Sequence, residues 1–231
     1  MKKKILALAL VVILAVTAVA GASLAYLTDK DSADNVFTIG KIDITLNDEF
    51  VHESLLMPGV DVSKKVGVTV AQDSQPAYVR VHIAIPQILD TPNDASANYL
   101  HFNMSKASMA DGLWSWDKTG ENNYPGNEGD WNFYTAEIDG IWYNVYVVTY
   151  ETVLNGGETT AENAFYKVYM DHGVTSEKLV ELNEALGGDW SIKVVAEGVQ
   201  AASFTNAYEA LNAAFGVPGT YTINWPEYSN N

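Results

Sequence analysis

Ala77-Tyr-Val-Arg-Val-His-Ile-Ala-Ile85 is the stretch that decides the fold, because its side chains alternate with a period of two. In an extended chain, successive side chains point to opposite faces of a sheet. One face then carries only branched apolar side chains: Val79, Val81, Ile83 and Ile85. The other face carries Tyr78, Arg80, His82 and Ala84. The pattern predicts a strand with one buried face, and Pro76 and Pro86 mark its ends because proline lacks the N–H that a ladder needs.

Similar stretches recur along the chain, and most are rich in β-branched or aromatic residues. We predict further strands over residues 37–46, 60–70, 141–153, 164–170, 190–196 and 221–225. Residues 141–150 are apolar on both faces, which is typical of a central strand covered on both sides. Since no regular helical partner lies between the strands, the pattern predicts a mainly β protein built as an antiparallel β-sandwich.

Two short helices interrupt the strands. Leu179, Leu182 and Leu186 recur at helical spacing after Thr175 or Ser176, either of which can cap the helix start. A second apolar stripe also recurs at helical spacing and consists of Phe204, Tyr208, Leu211 and Phe215. There Asn206 and Glu209 resemble a capping box, and Gly216 ends the helix. Both apolar stripes are interpreted as core contacts.

The N-terminus has the pattern of a secretory signal peptide. Lys2, Lys3 and Lys4 precede an uncharged apolar run over residues 5–20. The run has about 16 residues, fewer than the roughly 20 that span a bilayer. Small side chains lead up to Ala25, so we predict cleavage between Ala25 and Tyr26. The alternative is an uncleaved membrane anchor.

The composition narrows the function classes. Removing three lysines from the 13 basic residues leaves 10 against 29 acidic ones, a formal charge of −19. Such a surface disfavours nucleic acid and anionic lipid as partners. The chain has no cysteine, which excludes disulfides, thiolate metal sites and a cysteine nucleophile. No long linker or repeat divides the chain after residue 38, so we expect one domain over residues 39–231.

Catalytic patterns are missing from the sequence. His52, His82, His101 and His172 are far apart, and no His-Glu-x-x-His pair places two imidazoles on one helical face. They are interpreted as surface or strand-face residues, and the alternative is a metal site assembled by the fold. A serine elbow and a phosphate-binding glycine loop are also missing. We therefore predict no catalytic residues and no cofactor.

Two segments carry weaker signals. Asp29, Asp31 and Asp34 alternate with polar residues as in a calcium loop and are the candidate metal ligands, but the turn glycine and the distal glutamate of such a loop are missing. A solvated N-terminal segment is the interpretation we prefer.

Aromatic residues cluster between Trp114 and Tyr134: Trp114, Trp116, Trp131, Phe133 and Tyr134. If exposed, they would suit a sugar-stacking surface or a subunit contact, and the alternative is a cover over one end of the sandwich.

Two segments near the start of the chain resemble the opening of the TasA and camelysin family of secreted Gram-positive proteins. They are Gly21-Ala-Ser-Leu-Ala-Tyr-Leu-Thr-Asp29 and Asn35-Val-Phe-Thr-Ile-Gly40-Lys-Ile-Asp-Ile-Thr-Leu46. Later stretches resemble the same family: Met57-Pro58-Gly59, Pro76-Ala-Tyr-Val-Arg-Val81, Ala196-Glu-Gly-Val-Gln-Ala201 and Tyr208-Glu-Ala-Leu-Asn-Ala-Ala-Phe215. The turn at residues 72–74 departs from the family pattern.

The resemblance implies a jelly-roll-like sandwich, a signal peptide handled by the SipW signal peptidase, and assembly into extracellular fibres of a biofilm matrix. The partners would then be other copies of the chain and a related minor matrix subunit. The mature N-terminal segment, residues 26–38, resembles a strand donated to a neighbouring subunit. Its apolar residues Tyr26, Leu27, Val36 and Phe37 would anchor it. Two alternatives stay open: a camelysin-like secreted metallopeptidase and a monomeric surface adhesin or glycan-binding module.

Overall fold

The computed structural model describes residues 41–50, 56–92, 94–103, 113–116, 133–188 and 190–226. These residues all belong to one compact unit, Gly40–Asn231. The predicted signal peptide and the predicted N-terminal donor segment, residues 26–38, lie outside the described residues.

The described strands form two antiparallel sheets. They are β1 (Ile44–Phe50), β2 (Val62–Val70), β3 (Ala77–Pro86), β4 (Leu100–Asn103), β5 (Trp114–Trp116), β6 (Phe133–Ile138), β7 (Ile141–Leu154), β8 (Phe165–Met170) and β9 (Lys193–Gln200). Sheet A has the order β1-β2-β8-β4. Sheet B has the order β5-β7-β3-β9, and β6 also pairs with β7. The predicted fold class, a mainly β antiparallel sandwich with two short helices, is confirmed.

The two sheets pack face to face around one apolar core. Sheet A contributes Val66, Val68 and Phe165, and sheet B contributes Val81 and Val148, all fully buried. This is the arrangement that the alternating pattern predicts, because every second residue of a strand points to the same face. Residues 143–150 of β7 are buried throughout, and β7 lies between β3 on one edge and β5 and β6 on the other. Its prediction as a covered central strand is confirmed.

The prediction of one buried face for β3 is wrong, because all ten of its residues are buried. The face that carries Arg80 and His82 is the outer face of sheet B. A helix and the C-terminal segment lie over this face, and they exclude solvent from its polar side chains.

The two predicted helices are confirmed. Helix α1 (Ser176–Ala185) begins after Thr175, whose side chain accepts a hydrogen bond from the Lys178 N–H. Helix α2 (Ala207–Phe215) begins after Asn206, which accepts from the Glu209 N–H at 2.9 Å. Buried Ala210 and Leu211 pack α2 against Tyr78 on the outer face of sheet B.

Several strand predictions need correction. Residues 221–225 form no strand, and this segment is instead attached to sheet B through the Tyr221 hydroxyl, which bonds to Arg80 and Glu197. The strand predicted at 190–196 starts later and runs over Lys193–Gln200. For the strand predicted at 37–46, the described residues 41–43 are not part of a strand, and β1 runs over Ile44–Phe50 instead. Strands β4, β5 and β6 were not predicted.

Among the described helices, none has the length and apolar composition that a bilayer crossing requires.

Candidate assembly edge

Strands β1 and β9 end their sheets on the same side of the sandwich. A Cβ built at Gly198 of β9 would lie only 2.9 Å from Cγ2 of Ile44 in β1, so the two strands approach closely. Within the described ranges, no strand pairs with the second edge of either one. Such an edge offers a row of backbone N–H and C=O groups to any added strand.

The apolar side chains between these two strands are only partly covered. Ile44, Leu46 and Phe50 of β1 pack against the main core but remain half-buried, and Ala196 of β9 does the same. This contrasts with the centre of the sandwich, where Val66 and Val81 are fully buried. An added strand could therefore bury further apolar surface here.

Strand β9 is fastened to the interior by a buried polar cluster. We call it the Arg80 cluster, and it consists of Arg80, His82, Tyr134, Glu197 and Tyr221. Arg80 and Glu197 are directly opposite in the β3–β9 ladder. Arg80 Nε donates to Glu197 Oε2 at 2.6 Å, and the side chains are 0% and 10% exposed. A charged pair of this geometry is a strong hydrogen bond because it lies away from water.

The other guanidinium nitrogens of Arg80 bind groups beyond the sheet. Nη1 donates to Asn212 Oδ1 of α2 at 2.8 Å. Nη2 donates to the Gly216 carbonyl at 3.1 Å and to the Tyr221 hydroxyl at 2.7 Å. One side chain thus joins β3, β9, the end of α2 and the C-terminal segment.

His82 completes the cluster as a neutral side chain. Its Nε2 lies 3.1 Å from Glu197 Oε2, and its Nδ1 lies 3.3 Å from the Tyr134 hydroxyl. Burial lowers the pKa of His82 below its usual 6.5, and Glu197 opposes this only in part. A neutral ring satisfies both contacts when Nε2 donates to the carboxylate and Nδ1 accepts from the tyrosine.

Glu197 stays ionised in this environment. Burial alone raises the pKa of Glu197, but the hydrogen bonds and charges of His82 and Arg80 outweigh it and bring the pKa down to about 2. Burial also raises the pKa of Tyr134 and Tyr221, so both phenols remain protonated. The cluster therefore holds a cation, Arg80, against an anion, Glu197, with neutral side chains around them.

The C-terminal segment is held over sheet B through this cluster. The Tyr221 hydroxyl contacts both carboxylate oxygens of Glu197, at 2.8 and 2.9 Å. Gly219 adopts a positive φ of 84° and lies against Tyr134, where a Cβ would come within 3.0 Å of the tyrosine Cβ. Trp225 packs against an apolar group that includes Ala84 and Tyr143.

Strand β1 carries a different charged pair. Lys64 Nζ lies 2.7 Å from both carboxylate oxygens of Asp48, with the side chains 4% and 22% exposed. Asp48 is opposite buried Val66 in the ladder, so the pair lies on the inner face of sheet A. The Lys64 ammonium is also 5.1 Å from the centroid of the Phe50 ring. Charges on the inner face of a terminal strand are a known protection against edge pairing.

The site residues predicted from the sequence lie outside the described residues. These are the cleavage pair Ala25 and Tyr26, the assembly residues Leu27, Val36 and Phe37, and the candidate metal ligands Asp29, Asp31 and Asp34. They remain predictions.

The described histidines do not build a metal centre. His82 has both nitrogens engaged, while His101 stacks on Tyr169 and bonds Asp171 at 2.9 Å. His172 is exposed, and His52 lies outside the described residues. In the described part of the chain, no three histidine or carboxylate side chains are grouped so that they could hold a metal ion. These residues therefore do not fit a catalytic zinc, which needs about three protein ligands.

The aromatic cluster covers the sandwich rather than facing solvent, as far as its members are described. Trp114 is fully buried, and its Nε1 donates to the Glu162 carbonyl at 2.8 Å. Phe133 packs against the main core, and Tyr134 belongs to the Arg80 cluster. The side chain of Trp116 and all of Trp131 lie outside the description. The described rings offer no open stacking surface for a sugar.

The sequence analysis missed the Arg80 cluster. The available signal was the pair of charged and polar residues, Arg80 and His82, in the middle of an otherwise apolar strand. Strand interiors rarely carry such residues unless a partner lies opposite. The partners Glu197 and Tyr221 are more than a hundred residues away in sequence, so only the fold brings them together.

Residues 1–74 match the family described as camelysin metallo-endopeptidase. The match confirms the predicted resemblance to the TasA and camelysin family, and it covers the N-terminal part of the chain, including the described strands β1 and β2. A search of curated proteins found no significant match.

Proposed function

We propose that this chain is a secreted structural subunit of extracellular biofilm matrix fibres. It assembles by donating its mature N-terminal strand, residues 26–38, to a neighbouring copy. The observation that carries the proposal is the pair of terminal strands, β1 and β9, on one side of the sandwich with half-buried apolar residues between them. A free strand satisfies the backbone groups of such an edge and buries its own apolar side chains.

The family match supports the proposal through the resemblance, because its matched residues include the predicted signal peptide, the proposed donor and β1. In this proposal the SipW signal peptidase cuts after Ala25 of a Gram-positive precursor, and cleavage frees Tyr26 as the new N-terminus. Export would then also start assembly. The mature protein acts at the cell surface or in the matrix, and a related minor subunit is a second partner.

Electron microscopy of the purified mature protein, residues 26–231, tests the proposal. We expect filaments, and we expect the variant that lacks residues 26–38 to remain monomeric. The deletion variant should keep the circular dichroism of a folded β protein, which separates loss of assembly from loss of folding. A mature protein that stays monomeric at high concentration, with and without calcium, would contradict the proposal.

The name of the matching family, camelysin metallo-endopeptidase, raises a competing function, a secreted metallopeptidase. The described residues offer no ligand set for a catalytic metal, and nothing in their geometry favours peptide hydrolysis over assembly. Tightly bound zinc in the purified protein, together with casein cleavage that a chelator abolishes, would favour the peptidase.

A further inference from the structure

We infer that β9, rather than β1, is the edge that accepts the N-terminal strand of a second copy. This inference rests on the proposed function and names the site at which it occurs. The two strands lie on the same side of the sandwich, so the choice between them depends on their charge, their composition and the way each is held.

Charge favours β9 as the acceptor. The donated segment 26–38 carries three aspartates and Lys30, a net charge of −2. On β1, the Glu49 carboxylate is 73% exposed and lies 3.8 Å from the Lys65 ammonium. On β9, the Glu197 carboxylate is only 10% exposed and is neutralised by Arg80. Buried Lys193 at the start of β9 pairs with Asp139 at 3.3 Å. Since like charges on adjacent strands oppose pairing, an acidic donor is repelled less by β9.

Composition favours the same strand. Val194, Val195 and Val199 give β9 the β-branched side chains that suit a sheet, whereas β1 contains Asn47-Asp48-Glu49, residue types that are depleted in strands. The inner-face pair Lys64–Asp48 further protects β1 against an added strand. The only charge near the middle of β9, on Glu197, is turned away from the edge by Arg80.

The Arg80 cluster also keeps β9 in place before a partner arrives. Strand β9 is paired with β3 from Lys193 to Gln200, and the cluster adds contacts to α2 and the C-terminal segment. An edge that is already ordered loses little conformational entropy when a strand binds. The donated segment is longer than the eight residues of β9, so it can cover the whole edge.

Disulfide cross-linking distinguishes the two edges, because the chain contains no cysteine of its own. The mature protein with Val36→Cys serves as the donor. It is mixed with a second mature protein carrying Val195→Cys or Val199→Cys on β9, or the matched substitutions Thr45→Cys or Asn47→Cys on β1. Two positions at each edge are needed because a disulfide forms only when the Cα atoms lie within about 4.4–6.8 Å. After mild oxidation, mass spectrometry identifies the linked peptides, and circular dichroism checks that each variant is folded.

We expect the linked peptide 36–195 or 36–199 and no link to positions 45 or 47. The link should persist when residues 26–38 are deleted from the β9 variant, because that protein only accepts the strand. A link to β1 alone, or filaments without a link at either edge, would overturn the inference while leaving strand donation and fibre formation intact. If no filaments form at all, the proposed function itself fails.

Discussion

Strands β1 and β9 close the same side of the sandwich, yet they hold their buried charges differently. On β1, Asp48 pairs with Lys64 of the adjacent strand, and its side chain is 22% exposed. On β9, Glu197 is 10% exposed and is bound by groups from β3 and the C-terminal segment. The Lys64–Asp48 pair protects the β1 edge against an added strand, whereas the Arg80 cluster holds the β9 edge in place.

This difference predicts how much each strand depends on its charged partner. Breaking a fully buried ion pair costs more than breaking one that water can reach, because the remaining charge loses its solvation. Variants of the two pairs can therefore test whether the cluster holds β9 more firmly than the Lys64–Asp48 pair holds β1.

The largest effect is expected from Arg80→Met. It leaves Glu197 buried without its cation and removes the donors to Asn212 and Tyr221, so the free energy of unfolding should fall by about 3–5 kcal/mol. Urea unfolding followed by circular dichroism measures the change. Arg80→Lys, which keeps the charge but not the fork of donors, is the control and should lose less. Equal losses in both variants would show that the geometry of the cluster contributes little.

The second-largest effect is expected from acid, which should lower the free energy of unfolding through Glu197. The pKa of Glu197 is about 2 in the folded protein against an ordinary 4.5, so its contribution is complete above pH 4.5 and is lost as the pH falls toward 2. At 1.36 kcal/mol per pH unit the loss amounts to about 3 kcal/mol. His82 acts in the same direction from about pH 6.5 downward, because burial lowers its pKa and the unfolded state binds the proton first.

Unfolding in urea between pH 7 and pH 2 measures this slope, and Glu197→Gln should flatten it below pH 4.5. Glu49→Gln removes one negative charge from an exposed site and serves as the control. A slope that is the same in the wild type and in Glu197→Gln would exclude Glu197 as its source.

A smaller loss is expected from Lys64→Met on β1. Asp48 can still reach water, so the free energy of unfolding should fall by about 1–2 kcal/mol. The comparison with Arg80→Met in the same urea titration is the measurement. If Lys64→Met destabilises the protein as much as Arg80→Met does, the two pairs are equivalent and the contrast between the edges disappears.

The smallest effect is expected from Thr149→Val. Thr149 is opposite Arg80 in the β3–β7 ladder and is fully buried, and within the described residues its hydroxyl has no hydrogen-bond partner. Replacing the hydroxyl by a methyl group of similar size removes an unpaired polar atom, so stability should be unchanged or rise by up to about 1 kcal/mol. A clear loss of stability in thermal unfolding would show that the hydroxyl does have a partner.

Much of the fold could be predicted because its signals are local. The alternation in β3, the apolar run of β7, and the caps Thr175 and Asn206 each depend on residues that are neighbours in sequence. Short strands such as β5, with three residues, lie below the length at which a pattern can be recognised. The strand predicted at residues 221–225 is wrong for a related reason, since alternating aromatic and polar residues fit both a strand and a segment anchored by its side chains.

The sequence by itself determined the sandwich, its two helices and the family resemblance, because side-chain periodicity and capping residues act over a few positions. The tertiary structure decided which polar residues are buried and which strands end the sheets. Arg80 and Glu197 are 117 residues apart, and neither shows in the sequence that it is the partner of the other. Only the fold places them opposite each other, where exclusion of water turns an ordinary charged pair into the anchor of β9.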